Sequence, residues 1–251
     1  MSVDEREQLA EGSLISHLVE LRDRLLRAVI AIGVIFLPCA LYSNQLFTLV
    51  ANPLIAKMPA GTSMIATSVV APFMAPLKLS LFIALFLAMP YVLYQAWAFV
   101  APGLYKHEKN FAVPLVVSSI VLFYAGAAFA HFVVFPLMFA FLTTTAPAGV
   151  QVMTDMANYL DFVLLLYFAF GIAFEIPVAT VLLAATGMVR IETMTKNRGY
   201  VVLGIFIVAA FLTPPDAISQ SFMAVPMYLL YEVGIIMSRV MLKKRAADKS
   251  E

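Results

Sequence analysis

The sequence predicts an all-α polytopic membrane protein: six transmembrane helices with both termini on the cytoplasmic side. Three observations carry this. Of 251 residues, 63% are hydrophobic and only 12% charged, against about 45–50% and about 25% in a soluble domain. Long stretches lack Asp, Glu, Lys and Arg altogether. The basic residues that remain cluster on alternate loops. The same composition excludes disorder, which needs low hydrophobicity and high charge. A single cysteine, Cys39, excludes a disulfide scaffold, and a net charge of +1 gives no basic footprint for nucleic acid.

The uncharged stretches are Ala28–Ala56, Leu79–Tyr105, Asn110–Thr154 and Gly199–Pro215, with Phe162–Val189 broken only by Glu175 and Ala217–Ser238 only by Glu232. A spanning helix needs about 20 apolar residues, and lipid leaves no partner for free backbone groups, so each run is a helix or a closed barrel. Barrel strands alternate polar and apolar residues; these runs do not. Six spans follow, at about 25–44, 77–99, 112–135, 161–187, 199–213 and 217–238, forming one transmembrane domain over residues 1–251.

Lys and Arg orient the chain. Fourteen of the sixteen lie in the N-terminal segment, the second and fourth loops and the C-terminal tail; only Lys57 and Lys78 fall on the other side. The N-terminal segment carries six acidic residues before position 24, and its apolar run outlasts a signal-peptide core, so it is expected to be retained. Leu14, Leu18, Leu21 and Leu25 fall at helical spacing ahead of the first span and predict an interfacial amphipathic helix.

The first external loop, about 45–76, holds Pro53, Pro59, Pro72 and Pro76 yet is apolar; with the second, about 136–160, it reads as an ordered cap. The fifth and sixth spans are short. Tyr200–Leu212 reaches only about 20 Å against a hydrocarbon core of about 30 Å, and Thr213-Pro214-Pro215-Asp216 turns between them. Such a hairpin either slants against other helices or thins the bilayer.

Glu175 lies near mid-bilayer, 14 residues after Asp161 and 15 before Arg190. A carboxylate there faces a cavity or a partner. Pro177 frees the carbonyl of Ala173 and predicts a kink beside it. Glu232 and Lys78 lie close enough to the interfaces to snorkel out. His131 reads as a packed core residue. No metal-ligand spacing, phosphate loop or hydrolase motif occurs, so neither metal nor cofactor is expected, and no enzymatic activity.

Five strings occur in order: His17-Leu18-Val19-Glu20-Leu21-Arg22; Tyr94-Gln95-Ala96-Trp97-Ala98-Phe99-Val100-Ala101-Pro102-Gly103-Leu104; Tyr105-Lys106-His107-Glu108-Lys109; Phe174-Glu175-Ile176-Pro177; and Leu212-Thr213-Pro214-Pro215-Asp216. On a six-span chain this set resembles the TatC family, the core membrane subunit of the bacterial twin-arginine protein translocase, over essentially the whole length. The resemblance implies a concave, glove-like bundle in the cytoplasmic (inner) membrane that binds twin-arginine signal peptides and helps export folded proteins, with energy from the proton-motive force. Glu20 and Glu108 become the arginine site, since guanidinium forms bidentate bonds to carboxylates. Phe99 lines the pocket, and Arg22 holds Glu20 or orients the loop. Glu175 sits in the intramembrane concavity. The single-span subunits TatA and TatB dock on the short hairpin, with Thr213 and Gln220 bonding to a partner helix or to their own backbone, in an oligomeric complex. Pro53 and Asp216 are structural or gating positions. The competing reading is a proton-coupled secondary transporter using Glu175, for which the sequence lacks the paired broken helices of such folds.

Overall fold

A computed structural model of the chain describes residues 3–55, 64–104, 112–144, 154–213 and 216–248. Among these, ten α-helices, one π-helical turn and a two-residue strand pair make up the regular structure. Five helices are long and apolar enough to cross a membrane: Ile15–Leu41, Ala71–Val100, Val113–Phe141, Met156–Ala185 and Ala217–Lys243. A sixth, Arg198–Leu212, is apolar but shorter. The six predicted spans are all present, with boundaries that differ for physical reasons. The chain divides into two compact units, 1–58 with 68–117, and 59–67 with 118–251.

In the first unit, α1 (Val3–Leu41) is one continuous helix. The predicted amphipathic segment and first span are therefore a single rod. Its apolar stripe is open, with Leu18 and Leu25 about three-fifths exposed, as an interfacial face requires. The loop expected from about 45 begins instead as a helix, α2 (Ser43–Ile55), against α3 (Ala71–Leu104). Pro53 belongs to its last turn. Helix α3 starts six residues earlier than predicted despite Pro72 and Pro76. Pro72 occupies the first turn, where an N–H has no intrahelical partner anyway. Pro76 forfeits one bond, to the carbonyl of Pro72. Helix α1 lies along α3, where Ala28, Ala75, Ala84 and Ala88 are buried; small side chains let membrane helices approach closely.

The second unit contains the rest of α4 (Ala112–Phe129), the π-helical turn Ala130–Val134, α5 (Phe135–Thr144), α6 (Met156–Ala173), α7 (Ile176–Ala185), α8 (Ile191–Lys196), α9 (Arg198–Leu212) and α10 (Ala217–Asp248). The third span runs past the predicted 135 because of the π turn. Phe135 N–H bonds to the carbonyl of Ala130, and this shift to the wider register occurs just before Pro136, which has no N–H to contribute. The core joins Val134, Phe135 and Met138 to Val163, Leu166 and Phe170, and to Ala209 and Met223. Helices α4 and α6 meet at glycines. A Cβ on Gly171 would come within 2.5 Å of the Phe123 ring, and one on Gly126 would overlap the carbonyl of Phe170 and approach the Phe174 ring.

Strand β1 (Met64–Ile65) pairs in parallel with β2 (Thr154–Asp155). Asp155 Oδ2 accepts from the Thr67 N–H and hydroxyl at 3.0 and 2.6 Å. Its Oδ1 accepts from Asn158 N–H at 2.9 Å and caps α6, which is why that helix starts at Met156 rather than near 161. One carboxylate thus ties together parts of the two connections that the sequence reading took for a cap.

Candidate functional site

The first cluster lies where α1 and α3 meet in the first unit. Glu20 is not held by Arg22. Its Oε1 accepts from Arg24 Nε at 2.8 Å and Arg24 Nη2 at 2.7 Å, while Arg22 donates to its neighbour Asp23. Helix geometry decides this: residues four apart share a face and residues two apart do not. Arg24 Nη1 also reaches Oε1 of the buried Gln95 on α3, at 3.3 Å. One helical turn along from these residues, the His17 and Phe99 rings stack with centroids 4.3 Å apart. The cluster is thus a carboxylate gripped on one oxygen by a guanidinium fork, next to an aromatic shelf. Glu108 lies outside the described residues. Sequence reading missed Arg24, Gln95 and His17. The four-residue spacing of Glu20 and Arg24 was the available signal; nothing pointed to Gln95 as its cross-helix partner.

The second cluster is the break between α6 and α7. Helix α6 stops at Ala173, Phe174 and Glu175 form a turn, and Pro177 sits at the start of α7. The predicted kink is there, for the predicted reason. Both carboxylate oxygens of Glu175 are buried without a hydrogen-bond partner, as is the hydroxyl of Ser119 on α4. Ser119 is the side chain placed to approach Glu175, but the two fall outside hydrogen-bond geometry. Among the described residues no cation pairs with Glu175.

The third cluster is the α9–α10 hairpin. Thr213 is buried, and its hydroxyl donates to the carbonyl of Ala209 at 2.9 Å. Asp216 caps α10, with Oδ1 accepting from Ser219 N–H at 2.7 Å and Ile218 N–H at 3.1 Å. These bonds, that from Ser219 foremost, hold its carboxyl below the usual carboxylate range. Gln220 is half-buried one turn further on. Glu232 does not snorkel free, as its depth had suggested. It accepts from Arg198 at 2.7 Å and from Tyr228 at 2.8 Å, clasping α9 to α10. Elsewhere, His131 is packed as expected, with Nδ1 2.7 Å from the Tyr167 hydroxyl.

These arrangements can be set beside known proteins. The family described as Sec-independent protein translocase protein (TatC) matches residues 16–226. The chain belongs to the TatC family. The Escherichia coli K12 TatC is 54% identical over 226 residues, 90% of this chain and 88% of that one. The Azotobacter chroococcum TatC is 55% identical over 222 residues, 88% of this chain and 87% of that one. A crystal structure of the twin arginine translocase receptor TatC superposes with a TM-score of 0.80 at 35% identity, covering 89% of this chain and 98% of the other. The chain is therefore a multi-pass membrane protein of the TatC fold and a component of a protein translocase, in agreement with the predicted fold class.

Proposed function

We propose that this TatC-family chain is the signal-peptide receptor and scaffold of a twin-arginine translocase. It lies in the cytoplasmic membrane with both termini inside and works as one transmembrane domain. The family match runs across both compact units, and the skewed distribution of Lys and Arg supports the orientation. The observation that carries the proposal is the α1–α3 cluster. Arg24 directs two N–H donors onto the single oxygen Oε1 of Glu20, while Oε2 accepts no hydrogen bond among the described residues. Glu20 is thus a carboxylate already shaped for guanidinium, with one edge open to a second. Glu108 supplies the other carboxylate, Phe99 packs against apolar peptide side chains, and Arg22, engaged with Asp23, orients the segment.

In the same reading, Glu175 is a polar site within the membrane that awaits a partner from another chain. TatA and TatB dock along α9 and α10 near Gln220. Thr213, already bonded to its own helix, shapes that end rather than reaching outward. Asp216 sets the turn, and Pro53 shapes the end of α2.

The test is photo-crosslinking of a twin-arginine signal peptide from probes near Glu20 and Phe99. Crosslinks should fade when the peptide arginines become lysine, and Glu20→Ala or Glu108→Ala should abolish export while membrane insertion persists. Crosslinking indifferent to the peptide arginines would sink the receptor assignment; normal export by both variants would sink the site.

A further inference from the structure

One groove in the second unit has no part in any of this. It encloses about 620 Å³ between α8 and the last turns of α10, and it is lined by Ile191, Glu192, Thr195, Lys196 and Arg239. It belongs to the built fold. Met194 is buried with Ala184, Tyr231 and Ile235, and the Tyr231 hydroxyl donates to the Met194 carbonyl at 3.0 Å, pinning α8 onto α10. The groove also falls beside the ends of two apolar spans. Helix α8 begins six residues after the fourth span ends at Ala185, and Arg239 precedes the end of the last span by four.

Its chemistry is unbalanced. Lys196 is exposed and makes no ion pair among the described residues. Arg239 donates one Nη to the neutral Thr195 hydroxyl at 3.1 Å and makes no ion pair among the described residues, although Glu232 feels its charge. Glu192 is the only acid in the lining. Two cations, one hydroxyl, one carboxylate and an isoleucine at the water–hydrocarbon boundary match an anionic phosphodiester with a hydroxylated headgroup and an acyl chain. Basic pockets of this kind at membrane edges recruit anionic headgroups.

We propose that this groove binds one anionic phospholipid. Lys196 and Arg239 hold the phosphate, Glu192 accepts from headgroup hydroxyls, and Ile191 covers the first acyl carbons. The experiment is native mass spectrometry of the detergent-solubilised full chain, titrated with phosphatidylglycerol, phosphatidylethanolamine or inorganic phosphate. The expected result is retained phosphatidylglycerol in preference to phosphatidylethanolamine, unaffected by excess inorganic phosphate. Lys196→Gln/Arg239→Gln should weaken retention by about tenfold or more, since each cation at an anionic surface contributes roughly fivefold. Lys196→Gln alone changes an exposed, unpaired side chain, so the fold is kept, and it should show part of the loss. A control that removes two charges elsewhere, Lys57→Gln/Lys78→Gln, should leave retention unchanged. Undiminished retention in the double variant, equal loss in the control, equal retention of phosphatidylethanolamine, or displacement by inorganic phosphate would each overturn the proposal.

Discussion

Glu175 and Glu232 are both glutamates in spans of the second unit, yet their surroundings are opposite. Glu232 has a guanidinium on one oxygen and a phenol on the other. Glu175 has neither, and both its oxygens are buried. Position accounts for part of the difference: Glu232, at the middle of α10, faces Arg198 at the start of α9, while among the described residues no basic side chain pairs with Glu175 at its break. The lesson is that a satisfied acid in a membrane bundle holds helices together, whereas an unsatisfied one is kept at a cost in stability, which is why Glu175 carries the proposal of a partner from another chain.

That contrast can be broken from either side. The largest effect is expected at the packing that holds the break. Gly126→Ala would drive a methyl into the Phe170 carbonyl and the Phe174 ring; overpacking of this kind costs about 1–3 kcal/mol. Thermal unfolding in detergent should show a clear fall in Tm, together with weakened export. Next comes the clasp. Arg198→Ala leaves Glu232 without its cation and should lower Tm by less, and Arg198→Ala/Glu232→Ala should recover part of the loss, because the stranded charge is gone. A double variant no more stable than Arg198→Ala would show that the clasp is not a coupled pair.

Glu175→Gln sharpens the comparison. Replacing a buried carboxyl that has no partner among the described residues with an amide should leave Tm unchanged or raised while export is lost, the reverse of the clasp variants. A large fall in Tm would make Glu175 a structural residue instead. The smallest effect concerns a third acid, Asp155 in the cap formed at the β1–β2 pair. The Thr67 hydroxyl, with the Asn158 and Thr67 N–H groups, lowers its pKa from 3.8 to about 2. A depressed carboxyl stabilises the folded state above its unfolded pKa, and that contribution is lost as pH falls from about 4 through about 2. Limited proteolysis should show the cap loosening over that window, and Asp155→Asn should remove the pH dependence.

Much of this was legible beforehand. The uncharged runs located six spans, Pro177 announced the break next to Glu175, and Asp216 caps α10 at the end of its string. Three features were not legible. Helix α2 and the early start of α3 were hidden by prolines: the missing N–H of Pro72 falls in a first turn where none is needed, while Pro53 and Pro76 each forfeit a single bond that the rest of the helix outweighs. The π turn at Ala130–Val134 has no sequence mark except Pro136 just beyond it. Of the two roles the resemblance left open for Arg22, holding Glu20 falls to Arg24 instead, because helical azimuth brings Arg24 onto its face.

Composition and charge placement by themselves determined that this chain crosses a membrane six times, and the steady rise of a helix turns sequence position into depth. They placed Glu20 near an interface and Glu175 in the interior. Which acid is answered, and by what, was decided only in the tertiary structure. Depth follows from one helix alone, whereas a partner requires two helices to present matching groups at the same depth and on facing sides. That rotation is set by packing, by small residues such as Ala28 and Ala84 and by Gly126 against Phe170, and no single segment encodes it.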